Sequence, residues 1–528
     1  TPGAKALTPG PSPKWRGEEG RAVSAPSAGT ERGLGVRLRF EREDLTLPAN
    51  NPCPFNFQLF TFNSIPVYSA NVIVRTLLSE SMPDWTPVVG LEIHAELLTQ
   101  TKMFSACPVV DSVTAPPNTA VDPVSLGLPG TLPVINRTAM EMALRVGLAL
   151  GCEIPPVNQF ARKSYFYPDL PKGYQISQYD RPLAIHGALD ISLPDGTTAH
   201  IRIRRAHLEE DTGKSTHTSI GSLIDYNRAG VPLLEIVTEP DIHSAEAAEA
   251  FARKLRAILQ YLGVNDGDMS KGVMRIEPNI SVRHKDDTDY RTRTEVKNLN
   301  SIRSLFRSIE YETARHIKAW ESGEGVRQAT MGWDEARQRT VVQRYKESAE
   351  EYRYFPEPDL PIIEVSRAWV NALRAQLPEL PDAKQARFER EFELGRQDAS
   401  VLTADRATAE YYEGVLAAGA NAKSAANWMT GALFSLLNAR GIDRADLSAF
   451  TIQPAQFSGL IKLVDSGAIN KATGAAVLAE MAETGGDAEA IVAAKGLAQI
   501  SDTSVVDAAI AQELADNEAW VQKDLGGK

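Results

Sequence analysis

The chain holds 528 residues, 43% hydrophobic and 23% charged, a composition ordinary for a globular protein large enough for several domains. Its net charge of −12 argues against general affinity for polyanions and leaves room for local basic patches that hold phosphate. Three scattered cysteines, Cys53, Cys107 and Cys152, exclude a disulfide scaffold and suit a reducing compartment, and no run of about 18 apolar residues offers a membrane span.

Residues 1–51 are rich in Gly, Pro, Ser and Arg and carry no sustained helical or strand period, which predicts disorder. Residues 58–78 are more apolar but lack a targeting pattern. The first convincing strand follows Met82, so the expected start is Met82, with residues 1–81 a mis-called extension or, alternatively, a transit peptide. From Val88 to Leu97 the chain alternates: Leu91, Ile93, Ala95 and Leu97 point one way, Glu92, His94 and Glu96 the other. Two carboxylates flanking an imidazole on one face suit a divalent cation. A half-exposed strand with a solvated polar face is the plain alternative.

Asn136 to Leu150 has helical spacing, with Met140, Ala143, Leu144, Val146, Gly147 and Leu150 on one broad face. Arg162 to Asp180 is predicted as an irregular loop in which Tyr165, Tyr167, Tyr174 and Tyr179 interleave with Arg162, Lys163 and Lys172. Aromatics beside cations suit a nucleotide base or a single-stranded RNA end, though an ordered proline loop with packed tyrosines reads equally well. Ile201 to His207 sets Ile201, Ile203 and Arg205 against Arg202 and Arg204, then runs into the acidic cluster Glu209, Glu210, Asp211. Val231 to Thr238 reads as a strand with Leu233, Glu235 and Val237 on one face, and a carboxylate inside such a run needs a partner or a metal.

Ser244 to Leu262 is an amphipathic helix with Ser244 as its cap and Gly263 just past its end. Met274 to Arg283 alternates again, with Arg275, Glu277, Asn279, Ser281 and Arg283 on the polar face, and Tyr290 to Leu299 sets Arg291, Arg293, Glu295 and Lys297 on a common face. A long helix is predicted from Arg303 to Glu321. Several strands with one apolar and one polar face predict an α+β domain: an antiparallel sheet backed by helices, its polar face an active-site floor. Carboxylates for Mg²⁺, cations for phosphate and a Tyr-rich loop for a base fit metal-assisted phosphoryl transfer. No Walker A loop and no protein-kinase motif set occurs. Glu351 to Leu360 closes this domain with another Tyr/Arg/Pro segment.

After Ser366 the chain turns Ala-rich and helical. Predicted helices are Arg367–Gln376, Asp382–Gly395, Ala404–Ala418, Ser424–Ala439, Ala455–Ser466, Asn470–Thr484, Ala488–Lys495 and Asp502–Asp516, without a catalytic constellation. An interaction or RNA-positioning role is the natural expectation for them.

The segments VVGLEIHAEL, LGLPGTLPVIN, RKSYFYPDLPKGYQISQYD, HLEEDTGK, DYNRAGVPLLEIVTEPD, TRTEVKNLNS and YRYFPEPDLP together resemble the GatB family, the B-type subunits of the glutamyl/aspartyl-tRNA amidotransferases. The resemblance runs from about Pro87 nearly to the C-terminus. It implies a glutamine-synthetase-like cradle over residues 82–366, a helical domain over 367–447 and a YqeY-like helical tail over 448–528. It implies that ATP phosphorylates the side-chain carboxylate of mischarged Glu-tRNA(Gln) or Asp-tRNA(Asn) and that ammonia displaces the phosphate. The implied partners are an A-type amidase subunit and a small C-type subunit in a heterotrimer, and the implied compartment is a bacterial-type cytoplasm, or an organelle if the extension is real. Mg²⁺ ligands map onto His94, Glu209 and Glu235 with Glu92 beside them, and spacing leaves Glu210 as the alternative to Glu209. Lys163, Tyr165 and Tyr167 are expected to meet the acceptor end or the nucleotide, and Arg275, Arg293 and Lys297 to hold phosphate or tRNA.

The sequence departs from the family twice. Where many members carry four zinc-binding cysteines, this chain has Ser105, Cys107, Asp122 and Ser125, so no zinc is expected, and packing with four nearby prolines is expected to hold the loop. The tail ends at Lys528, short of the family's further basic helical segment, and is expected to be truncated. Two other readings stay open: a non-catalytic tRNA-binding scaffold for the amidase subunit, and a stand-alone ATP-dependent ligase on a small carboxylate.

Overall fold

A computed structural model describes residues 84–345, 352–499 and 503–517. The chain divides into two units at Arg75/Thr76, and all described residues lie in the second. The expectations for residues 1–81, for a start at Met82 and for the last eleven residues fall outside the described residues.

The opening strand β1 (Trp85–Glu96) alternates as its sequence dictates: Leu91, Ile93 and Ala95 are buried on one face and Glu92 and His94 stand on the other. Helix α1 (Arg137–Ala149) starts at Asn136, whose side chain accepts the Ala139 N–H, and buries the predicted apolar face. The segment predicted as an irregular loop is a hairpin. After β2 (Val157–Asn158), β3 (Ala161–Ser164) pairs with β4 (Tyr174–Ser177), Arg162 opposite Ile176 and Lys163 opposite Gln175, leaving residues 165–173 as the connection. Then come β5 (Ala184–Ser192), β6 (Thr198–Glu210), a small hairpin of β7 (Lys214–Thr218) and β8 (Gly221–Asp225), and β9 (Pro232–Thr238). Helix α2 (Ala245–Tyr261), capped by Ser244, leads to β10 (Met274–His284), β11 (Thr294–Lys297) and α3 (Ile302–Glu321). Strands β12 (Ala329–Asp334), β13 (Arg339–Tyr345), β14 (Phe355–Pro356) and β15 (Ile363–Glu364) complete this part.

Eight strands form the main sheet in the order β13-β12-β11-β10-β1-β9-β6-β5. Every pair is antiparallel except β11 with β12, which corrects the expectation of a purely antiparallel sheet. The reason is the connection: α3 lies between β11 and β12, and a parallel pair needs such a crossover. The strand expected across 290–299 is ordered as strand only over Thr294–Lys297. Strands β5, β7, β8, β12 and β13 were not predicted; β13 is an edge strand that leaves Val341 and Val342 exposed, so its sequence carries no buried-face signal.

The apolar faces of the sheet and of α1, α2 and α3 make one core, with Ile93, Leu144, Phe251, Leu255, Ile276, Leu305 and Ile309 among its buried members. Each such side chain stabilises by about 1.5–3 kcal/mol on burial. Helix α4 (Arg367–Ala375) adds Val370 and Leu373 to the same core.

A second core follows, built by α5 (Pro381–Glu391), α6 (Arg396–Leu402), α7 (Arg406–Ala417), α8 (Ala422–Trp428), α9 (Phe434–Arg440), α10 (Pro454–Asp465), α11 (Lys471–Thr484) and α12 (Ala488–Lys495) around Phe388, Tyr412, Leu433, Phe457 and Leu478. The helix predicted over 424–439 is two helices joined by a π-helical turn, Met429–Leu433. Helix α13 (Thr503–Asp516) lies beyond. No helix among the described residues is long and apolar enough to cross a membrane.

Behind the sheet, α3 is tied to two strands by a buried carboxylate. Glu312 accepts hydrogen bonds from Thr294 on β11 (2.6 Å) and Thr340 on β13 (2.5 Å), and from both Arg315 nitrogens at 2.8 and 2.7 Å. Burial would raise this carboxyl, but Arg315, His316 and Thr294 outweigh it and hold it well below the usual range. Its stabilising effect is therefore present above the ordinary carboxylate range near 4.5 and is lost only in strong acid. Glu312→Ala is expected to cost about 3 kcal/mol in chemical denaturation, since it leaves Arg315 without its carboxylate and strands the buried Thr340 hydroxyl; a loss under about 0.5 kcal/mol, the size of an ordinary surface change, would show the network to be idle.

Candidate active site

The polar face of the sheet is organised by cross-strand register. His94 on β1 lies opposite Glu235 on β9, and Glu235 lies opposite His207 on β6. On its other side His94 pairs with Arg275 on β10. A transverse row Arg275–His94–Glu235–His207 thus crosses four strands, with Glu92 and Glu209 two residues away along their own strands. The row floors a cleft of about 1370 Å³.

The carboxylate and imidazole side chains of this floor lie close enough together to share one cation. His94 Nε2 stands 3.4 Å from Glu235, 3.7 Å from Glu209 and 3.7 Å from Glu92. His207 Nε2 stands 3.7 Å from Glu235 and 3.9 Å from Glu209. Ligand atoms of Glu92, His94 and Glu235 lie within 4.8 Å of one another, as do those of His207, Glu209 and Glu235. Glu209 Oε2 is buried without a hydrogen-bond partner among the protein atoms. A buried carboxylate oxygen lacking a donor is costly, and a cation held between these oxygens and imidazole nitrogens relieves that cost. The donor set suits a hard divalent ion.

Proton affinities diverge across the row. Burial, then the Glu235 charge, pushes Glu92 up to about 7. Burial alone would lower His94, but the hydrogen bond and charge of Glu235, with Glu277 and Glu92, push it up to about 9. Burial dominates at His207, driving it down to about 4 against the pull of Glu235. Burial raises Glu209. At Glu235 burial is outweighed by His207, His94 and Lys163; because His207 is neutral near pH 7, His94 and Lys163 are the lasting counter-charges there.

One wall of the cleft is aromatic and basic. Lys163 Nζ sits 5.2 Å from the Tyr352 ring centroid and 5.9 Å from that of Tyr165. Tyr352 meets Tyr165 and Tyr354 edge to face, and Tyr354 stacks on Tyr179. Arg205 and Arg293 also line the cleft. Arg275 is committed to Asp211 (2.8 Å) and Glu96 (3.4 Å); with Arg228 it overcomes burial and holds Asp211 down to about 2. Lys297 pairs with Glu277 and, at 3.1 Å, with Glu295.

The structure therefore brings Glu92, His94, Glu209, Glu235, Lys163, Tyr165, Arg275, Arg293 and Lys297 into one cleft. Two expected residues lie elsewhere. Glu210 projects to the other face of β6, where it accepts the Ile176 N–H at 2.9 Å and pairs with Lys172, so the geometry separates it from the cation cluster. Tyr167 sits beside the exposed Phe166 on the hairpin connection, outside the cleft. His207 was missed because a register shift between Ile203 and Arg205 reverses the face alternation, which also moves Arg205 off the apolar face. Tyr179, one of the tyrosines that the sequence singled out, does line the cleft, whereas Tyr352 and Tyr354 were missed because β14 pairs with β3 across nearly two hundred residues.

The loop expected to rest on packing does pack through Phe104, Ala120 and Val124, and polar bonds add to that hold. Asp122 accepts the Val124 and Ser125 N–H groups and the Ser125 hydroxyl, Ser105 accepts the Cys107 N–H at 3.3 Å, and buried Lys102 donates to the Ala120 carbonyl at 2.7 Å.

A carboxylate–imidazole floor beneath a basic, aromatic wall is a donor set that suits a divalent cation and an anionic ligand. The family model of the GatB/GatE catalytic domain matches residues 87–371, and that of the GatB domain matches 410–528. The chain is 46% identical over 460 residues to the B-type subunit of an aspartyl/glutamyl-tRNA(Asn/Gln) amidotransferase from Synechococcus, covering 86% of this chain and 93% of the relative. The same-named proteins of Herpetosiphon aurantiacus and Thermomicrobium roseum are 48% and 49% identical, each covering 84% of this chain and 92% of the relative. The chain belongs to the GatB family.

Without metal, the raised His94 value means that its contribution to folding stability is complete below about 6.5 and fades as pH passes about 9. A cation binding at Nε2 must displace that proton. Mn²⁺ affinity is thus expected to rise about tenfold per pH unit from 7 to 9, and more steeply below 7, where Glu92 also holds a proton. Calorimetric titration across that range checks this, and an affinity flat with pH would remove His94 from the ligand set.

Proposed function

We propose that this cleft is where a carboxylate carried on mischarged tRNA is activated by ATP and amidated. The chain is a subunit of a tRNA-dependent amidotransferase, a glutamine-dependent carbon–nitrogen ligase that converts Glu-tRNA(Gln) or Asp-tRNA(Asn) to the Gln or Asn form. The observation that carries the site assignment is the meeting of Glu92, His94, Glu209 and Glu235 on three adjacent strands around an unsatisfied buried oxygen.

A free carboxylate is a poor acyl donor, so its oxygen must first become a leaving group; phosphorylation achieves this, and ammonia then forms the amide. Glu92, His94, Glu209 and Glu235 would hold Mg²⁺, which supplies charge neutralisation for the transferring phosphoryl. Arg205 and Arg293 face the cleft where phosphate oxygens and the tRNA end must enter. Lys163, held over Tyr352 and Tyr165, offers positive charge beside the floor. In this reading the sheet domain is a glutamine-synthetase-like cradle and the helical tail is YqeY-like.

Ammonia has another source. Among the described residues the two thiols are unfit to attack glutamine: burial pushes Cys152 up to about 11 and also raises Cys107. Release of ammonia falls to a partner amidase of the A type, held with a small C-type subunit. A bacterial-type cytoplasm is the compartment that matches this assembly.

Glu235→Ala in the assembled complex is expected to lower ATP-dependent activation of mischarged tRNA by more than roughly 100-fold, beyond what outer-shell partners carry. Its tRNA Kd should stay unchanged, and equal loss of tRNA binding would make Glu235 structural. The hydrogen-bonded set Ser105, Cys107, Asp122 and Ser125 has one thiol and no imidazole, so elemental analysis of the purified chain should find no stoichiometric zinc.

A further inference from the structure

One aromatic surface in the cleft is left without a task by the cation cluster and the phosphate-facing cations. Tyr179 lies parallel to Tyr354, with ring centroids 4.2 Å apart and planes 12° apart. Tyr354 is braced edge to face by Tyr352 at 6.1 Å, and Tyr352 by Tyr165 at 5.9 Å. The Ser164 N–H, at the end of β3, donates to the Tyr352 carbonyl at 2.8 Å, so the braces are fixed to the hairpin that carries Lys163. Tyr179, at the end of this row, keeps 47% of its surface exposed although one ring face is covered. All four rings line the cleft.

Arg353, between Tyr352 and Tyr354 in the chain, also lines the cleft and takes φ +44°, a backbone conformation uncommon for a non-glycine residue. Such strain persists where neighbours over-determine it, and it clusters at ligand clamps. Here it falls on an arginine that lines the same cleft as the stacked aromatic pair and precedes Tyr354 in the chain.

An open ring face on a rigid stack, with an arginine in the same cleft lining and a lysine on the next ring, has the recognition chemistry of an unpaired nucleobase and its phosphate. We infer that the open face of Tyr179, backed by Tyr354 and sharing its cleft with Arg353, seats a purine base during the reaction. Two substrates of the proposed reaction carry one: ATP, and the 3′-terminal adenosine to which the mischarged amino acid is attached. The inference rests on that reaction for the identity of the base and on the tyrosine stack for its place.

The test uses the full chain assembled with its partner subunits, as wild type, Tyr179→Ala, Tyr179→Phe and Tyr179→Trp. KM and kcat are measured separately against mischarged tRNA and against ATP. Tyr179→Ala should raise one of the two KM values by about 5- to 150-fold, the range that stacking of one base supplies, with kcat within about twofold. Phe and Trp, which keep a ring face, should restore it. A rise confined to the tRNA KM assigns the terminal adenosine, and one confined to the ATP KM assigns the nucleotide. No change in either KM, an equal rise in both, a loss of kcat alone, or failure of Phe and Trp to restore the affected KM would overturn the inference. Binding of ethenoadenosine triphosphate and of an oligonucleotide ending in 2-aminopurine, followed by fluorescence, gives a readout independent of turnover. If the wild-type complex shows no ATP-dependent amidation but the Kd for one probe still rises in Tyr179→Ala, the reaction is misassigned and the base seat stands. If amidation is normal and neither Kd moves, the seat fails alone.

Discussion

The cleft depends on burying Glu235 between two imidazoles. A carboxylate in the middle of a strand whose other face is core has no water to turn to, so its cost must be met across the sheet. Register does this: His94 and His207 face Glu235 from the strands on either side. A slip of one residue on β1 or β6 would turn an imidazole into the core and an isoleucine or leucine into the cleft. The helices on the opposite face make such a slip prohibitive, because Ile93, Ile236 and Leu208 are already packed there with no exposure. The apolar side of the sheet therefore fixes the chemistry of the polar side.

The same division explains what could be read from the sequence. Where a strand is covered on one face only, period two shows which residues share a face, and Glu92, His94 and Glu235 were legible on that basis. Glu209 came from a motif rather than from spacing, because a run of three acids carries no alternation of its own. His207 sits in that motif, yet the register shift in β6 falsified the phase counted from Ile201. The stacked tyrosines belong to segments far apart in the chain, and only the pairing of β14 with β3 joins them. The parallel pairing of β11 with β12 and the π turn in the helical region are likewise products of connection and packing that no local period announces.

Charge is partitioned in a similar way. Several cations that look available in the sequence are engaged within the protein itself: Arg275 with Asp211 and Glu96, Lys297 with Glu277 and Glu295, Arg202 with Asp241 and Arg204 with Glu239. These pairs hold the strands' polar face in a fixed arrangement. Arg293 is exposed at the cleft, and Arg205 reaches only to 3.6 Å from Glu235. In the reaction proposed for this cleft, a polyanion must enter above a carboxylate floor, and this separation suits that task. Acids left without counter-charges would repel the substrate, and cations left all free would quench the floor.

The adjacent pair Glu209-Glu210 shows how one dipeptide joins these parts. Successive residues of a strand face opposite ways, so identical side chains meet different surroundings. Glu209 enters the floor beside His94. Glu210 accepts the Ile176 N–H, pairs with Lys172, and through its carbonyl accepts from Gln175. All three partners lie on the hairpin whose other strand carries Lys163 and leads to Tyr165. The strand that supplies the floor thereby also fixes the wall that faces it. Loss of Glu210 would leave the floor's donor set whole and release its wall, whereas loss of Glu209 would do the reverse. Two neighbouring glutamates therefore stand in distinct surroundings, one in the floor and one behind the wall.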